Sequence, residues 1–72
     1  MDARIALLQV VALTEDLPSR GLLRGQVGTV VEKLDDDVFE VEFADEAGRT
    51  YVQAPLRSDQ LMVLRYAPIK SA

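Results

Sequence analysis

Two of the most versatile catalytic side chains are missing from this chain of 72 residues, which has neither histidine nor cysteine. The commonest general base, the commonest metal ligand and the only thiolate nucleophile are therefore absent. What remains for chemistry is carboxylates and arginines. Thr14, Glu15 and Asp16 form one polar group and Asp45-Glu46 another. Paired carboxylates can divide acid and base roles when their surroundings separate them. No nucleophile, metal set or phosphate loop accompanies these. The opposing reading is that Thr14 and Asp16 hydrogen-bond their own loop backbone. Asp35-Asp36-Asp37 superficially suggests a calcium loop, but an EF-hand needs alternating oxygen ligands, a glycine and a distant glutamate. Position 39 is Phe, so the run reads as a solvated turn. No enzyme, metal or cofactor is expected, and no small-molecule substrate is evident.

Charge narrows the partners. Twelve acidic residues against eight basic ones leave a net charge of −4, which works against binding phosphate backbones. A nucleic-acid interface would have to gather Arg20, Arg24, Arg57 and Arg65 on one face. Gly25-x-x-Gly28 is formally the tetrapeptide of KH domains, but there it joins helices and carries basic residues. Here it opens a strand beside Arg24 alone, so Gly25 and Gly28 read as backbone devices.

The elements that must carry these residues are strands. Ile5–Leu13 is apolar except for Gln9, which is far short of the ~20 residues that span a bilayer. Nor does it carry the basic start of a signal peptide. A buried strand from about Gln9 explains it, after a leader (residues 1–8) that is either disordered or a short helix over Asp2–Leu8 capped by Asp2. Cytoplasmic residence follows as the default. Thr14–Leu23 is a long loop, with Pro18 and Gly21 as turn residues and Leu17, Leu22 and Leu23 pinning it down. The second strand covers Val27–Lys33. Gly28 inside it indicates a bulge or a close backbone approach. Val38–Phe43 alternates Phe39, Val41 and Phe43 against Glu40 and Glu42, one face core and one wet. Gly48 suits the left-handed position of the next hairpin. The fourth strand runs from Arg49 to Ala54 and is stopped by Pro55. Ser58-Asp59-Gln60 is a single 3-10 turn, and Leu61–Leu64 the last strand. The tail, residues 65–72, is either loose or docked through Tyr66 and Ile69.

Five short strands, one long loop, two tight hairpins and a helical turn before the last strand form an all-β pattern. It is that of a small five-stranded SH3-like barrel over residues 9–64, whose closure hides strand edges. The stretch VVALTEDLPSRGLLRGQVGTVVE (Val10–Glu32), with FEVEFADEAGRTY (Phe39–Tyr51) and LRSDQLMVL (Leu56–Leu64), resembles an uncharacterised family of short bacterial proteins carried as a domain of unknown function. The resemblance implies the SH3-like barrel and no established activity. Gly25–Val30 also resembles the Gly-x-x-Gly-x-Val core of KOW-type segments.

Apolar residues exceed what one barrel interior holds. Val10 and Ala12 oppose Val11 and Leu13 on the first strand, and Met62 and Leu64 oppose Leu61 and Val63 on the last. The expected interaction surface is Val10, Ala12, Leu22, Leu23, Tyr51, Met62, Leu64 and Tyr66. Either the leader, loop and tail of the chain itself cover it, or a second copy or another protein does. With four aromatics and no Trp, an aromatic groove for Pro-rich peptides is disfavoured. A non-catalytic protein-interaction module (an adaptor, or an inhibitor or immunity-type partner) is the expected function. A nucleic-acid-binding KOW-like module is the alternative.

Overall fold

A computed structural model describes residues 5–68. Its five strands, β1 (Val10–Leu13), β2 (Val27–Asp35), β3 (Val38–Ala44), β4 (Thr50–Arg57) and β5 (Leu61–Val63), form one antiparallel sheet in the order β4-β3-β2-β1-β5. Two 3-10 turns, Pro18–Arg20 and Ser58–Gln60, interrupt the loops. The all-β expectation and the turn before the last strand agree with this arrangement. The short N-terminal helix does not. Residues 7 and 8 form a turn, Leu8 takes φ 67 and its N–H donates to the Val30 carbonyl at 2.7 Å. Left-handed backbone of this kind costs a branched residue about 1–2 kcal/mol and cannot belong to a right-handed helix. The proposed cap Asp2 lies outside the described residues, as does Ile69 of the tail.

The core is assembled by alternation. Phe39, Val41 and Phe43 of β3 face inward with Val30, Ala54, Leu56 and Leu61, beneath Val11 and Leu13. Glu40 and Glu42 point outward. Gly28 is placed by close approach: a Cβ there would meet Val41 Cγ1 at 2.8 Å and the Glu42 carbonyl at 2.9 Å. The irregularities of β2 fall later, between Val30 and Glu32 and between Lys33 and Asp35. The β1 register of β2, Val27–Thr29, lies before them. Gly25 and Gly48 adopt φ 91 and 84, and Gly48 lies in the β3–β4 turn next to a register shift at Phe43/Ala44.

Pro55 was expected to end the fourth strand, yet β4 continues through it to Arg57. The reason lies in the ladder. Ser58 N–H donates to the Asp37 carbonyl at 3.0 Å, which makes 37/58 a hydrogen-bonded pair. Alternate pairs then share that pattern and the intervening ones do not. Glu40/Pro55 is one of the intervening pairs. The donor that proline lacks would have pointed off the sheet, and β4 is an edge strand.

The barrel closure expected to hide the edges does not occur as a ladder. β4 and β5 stand at opposite ends of the sheet order and do not pair. The 3-10 turn Ser58–Gln60 follows β4 directly, and the strand after it pairs with β1 instead.

Gly28→Ala is expected to destabilise the protein by about 1–3 kcal/mol, because the methyl meets backbone as well as side chain. Pro55→Ala is expected to stay within about 1 kcal/mol, since its N–H position faces outward. Denaturant midpoints of the two variants would check the contrast, and an unchanged midpoint for Gly28→Ala would contradict the close approach.

Candidate interaction surface

The outer face of the sheet changes character across β2. In register, Val27 of β2, Ala12 of β1 and Met62 of β5 form one row of three cross-strand neighbours. Directly opposite residues share a face, so this row lies on the side away from Val11 and Leu13. Val27 and Met62 are exposed, Met62 at 53%. The next row places Val10 beside Thr29, and Thr29 in turn beside Glu42 and Gln53. Leu64 joins Val10 through its N–H at 3.1 Å. Farther along, Glu32 faces Glu40. An apolar strip on β1 and β5 thus gives way to an acidic face on β2 and β3.

Ala12 and Leu22 do not belong to the accessible surface expected of them. Ala12 is the floor of the strip, 5% exposed between its two larger neighbours. Leu22 is fully buried in the core. It reaches there because Leu17 and Leu22 exchange backbone hydrogen bonds at 2.8 and 3.1 Å, folding the long loop into its own narrow hairpin. Leu17 packs against the core as well, while Leu23 is exposed and pins nothing. Val10 and Leu64 are half-buried, and Tyr51 and Tyr66 are exposed. The Tyr51 hydroxyl accepts a hydrogen bond from Gln26 Nε2 at 2.7 Å, which holds it over the loop's exit.

The sequence reasoning missed Val27, although its outward position follows from the inward Gly28 and Val30 at alternate places. Leu7 and Leu8 were also missed, both exposed on the turn before β1. The signal for that pair was hidden, because a continuous apolar run has no period to show which residues face outward.

Polar groups around the strip are committed to holding the fold. Gln60, 8% exposed, is the buried polar residue at its end. Its Oε1 accepts from Arg57 N–H at 2.9 Å and its Nε2 donates to Glu15 Oε2 at 3.0 Å. Its carbonyl accepts from Thr14 N–H at 3.0 Å. Thr14 Oγ1 donates to the Asp59 carbonyl at 3.1 Å rather than to its own loop, whereas Asp16 Oδ1 does accept from the loop at Arg24 N–H, 2.8 Å away. Asp45 Oδ1 accepts from Ala47 and Arg49 N–H at 2.9 and 3.0 Å. Three of the carboxylates singled out for acid–base chemistry, Glu15, Asp16 and Asp45, are thus engaged in turns and loop ties. Between the loop and β5 lies a depression of about 580 Å³ lined by Leu13, Thr14, Arg24, Gly25 and Met62.

The four arginines named as nucleic-acid contacts stand on three segments: Arg20 and Arg24 in the β1–β2 connection, Arg57 at the end of β4 and Arg65 after β5. Arg20 ends the first 3-10 turn, Arg24 borders the depression, Arg65 follows β5, and Arg57 Nε is paired with Asp59 Oδ1 at 3.0 Å. Among the described residues no cluster of acidic residues is placed to hold a metal ion, and no helix is long and apolar enough to cross a membrane.

Gln60→Ala is expected to cost about 1–3 kcal/mol, since it removes the part-buried acceptor of Arg57 N–H and the donor to Glu15. Gln60→Glu is expected to cost more at neutral pH, because a second carboxylate then faces Glu15. Thermal unfolding of both variants measures this, and a Gln60→Glu protein as stable as the parent would contradict the clamp.

No curated protein and no solved structure matches the chain. A family model does match, over residues 7–63, and its description is domain of unknown function, DUF4926. The matched span contains all five strands and both 3-10 turns, together with the apolar strip from Val10 to Met62. With well over half its length covered by that model, the chain belongs to the DUF4926 family.

Proposed function

We propose that this protein is a non-catalytic protein-interaction module built as an SH3-like barrel, working through the outer face of β1 and β5. The observation that carries the reading is the in-register apolar row Val27–Ala12–Met62, extended by Val10 and Leu64. Contiguous apolar surface of this kind marks interaction sites more often than scattered single residues do. The strand order supports the SH3-like part, as do the long loop folded on Leu17 and Leu22 and the 3-10 turn between β4 and β5. Absence of histidine and cysteine, and the engagement of Glu15, Asp16 and Asp45 in structural hydrogen bonds, support a role without chemistry. The partner is a protein, met in the cytoplasm.

Pro-rich peptides are a poor fit to this face. Phe39 and Phe43 are buried, which leaves only Tyr51 and Tyr66 as exposed aromatics. Nucleic acid has less support still. Arg57 is shared with Asp59, and the outward residues of β3 are Glu40 and Glu42.

A photo-cross-linking residue placed at position 64 in the native host is expected to yield a protein adduct, and one at position 40 none. Met62→Asp is expected to abolish the adduct from position 64. Equal labelling from both positions, or no adduct from position 64, would overturn the reading.

A further inference from the structure

The two edges of the sheet are not equally protected. On β4 the residues whose backbone faces outward include Gln53, Pro55 and Arg57, because 37/58 is a hydrogen-bonded pair and the pattern alternates. Pro55 has no donor to offer, and the Arg57 N–H is capped by Gln60 Oε1 at 2.9 Å. This edge is blunted in the manner of proteins that avoid edge pairing.

On β5 the parity is fixed from both ends. Thr14 N–H donates to the Gln60 carbonyl and Leu64 N–H to the Val10 carbonyl, so Ala12/Met62 between them is also a hydrogen-bonded pair. Met62 therefore turns its N–H and C=O to β1, and Leu61 and Val63 turn theirs away. The Leu61 N–H is consistent with this, since it donates to the Ser58 carbonyl. Among the described residues the Val63 N–H and the carbonyls of Leu61 and Val63 have no partner recorded. Leu61–Val63 carries no proline, charge or bulge to discourage another strand.

We infer that a second copy of this chain occupies this edge, β5 pairing antiparallel with its counterpart about a two-fold axis at Val63. The inference rests on the reading of the β1–β5 face as the interaction surface and names its occupant. In that register the two Val63 residues exchange N–H···O=C bonds reciprocally. Arg65 N–H of each copy reaches the Leu61 carbonyl of the other. Met62 then lies opposite Leu64 of the other copy in the non-hydrogen-bonded pairs, where side chains approach most closely. In this two-fold register the chain itself supplies both members of each apolar pair, so a second copy is complementary to the edge. The apolar rows of the two copies become one continuous strip. The acidic β3 strands are separated by seven strand spacings, about 34 Å along the sheet, well beyond the ~8 Å screening length of physiological salt. A head-to-tail ring would instead need β4 as donor edge, which Pro55 and the capped Arg57 oppose. A two-fold contact closes at two copies.

Light scattering coupled to size exclusion, over a concentration series of the full chain, is expected to report twice the 8.0 kDa chain mass. Amide exchange is expected to show Val63 becoming protected as concentration rises, with Met62 protected throughout. Arg65→Pro removes two intermolecular donors outside the β1 ladder and is expected to weaken association at least about tenfold. Met62→Lys is expected to weaken it at least as much. A monomer at every concentration would overturn the inference, as would an assembly of three or more copies or a dimer with Val63 unprotected. A monomer whose position-64 cross-linker still captures a different protein would end the dimer and leave the interaction reading standing. Loss of that adduct altogether would end both.

Discussion

Four residues of β1 carry hydrogen bonds on both sides and apolar side chains on both faces, and the rest of the fold is arranged around that double duty. Val11 and Leu13 supply the inner face, where they meet Gly28, Val63 and Leu61 in register. Ala12 lies on the outer face, flanked directly by Val27 and Met62 and only 5% exposed. A polar residue at this buried position would need a hydrogen-bond partner to offset its desolvation. With so short a chain, few strands are available, and β1, paired with β2 on one side and β5 on the other, serves both faces.

The long loop after β1 shows the same economy. It contributes Leu22 to the core and Leu17 beside it, then is tied to the turn before β5 by Thr14, Glu15 and Gln60. Gln60 is effective because one amide satisfies a donor and an acceptor on two different segments while sheltered from water. Without cysteine there is no covalent staple for such a loop. Hydrogen bonds and two leucines do that work instead.

Outer-face chemistry follows from where the acidic residues fall. They are concentrated on β2, β3 and their turns, where Glu32 and Glu40 stand opposite one another at some electrostatic cost. The β1–β5 half is left apolar beside an edge with unmatched backbone groups. That coincidence of apolar face and open edge is the basis of the proposed module and of its two-fold pairing. β4 lies at the other end of the sheet with a proline and a capped donor.

By itself the sequence determined the β-class, the inward set of β3, the helical turn before the last strand and the glycine positions. These are short-range matters, set by alternation, by turn chemistry and by the lack of a Cβ. The two-faced apolar character of β1 and β5 was legible for the same reason. Which of those residues remain accessible was not. Ala12 and Leu22 read as surface candidates, and only the packing of Val27 and Met62 across strands, and of the loop onto the core, buried them. Pro55 read as a terminator because its missing donor is plain in the sequence. Whether that donor would have pointed into the sheet or away from it depends on ladder parity. Only the pairing of β4 with β3 decided that, as only the pairing of β5 with β1 left the Val63 N–H and carbonyl pointing off the sheet edge.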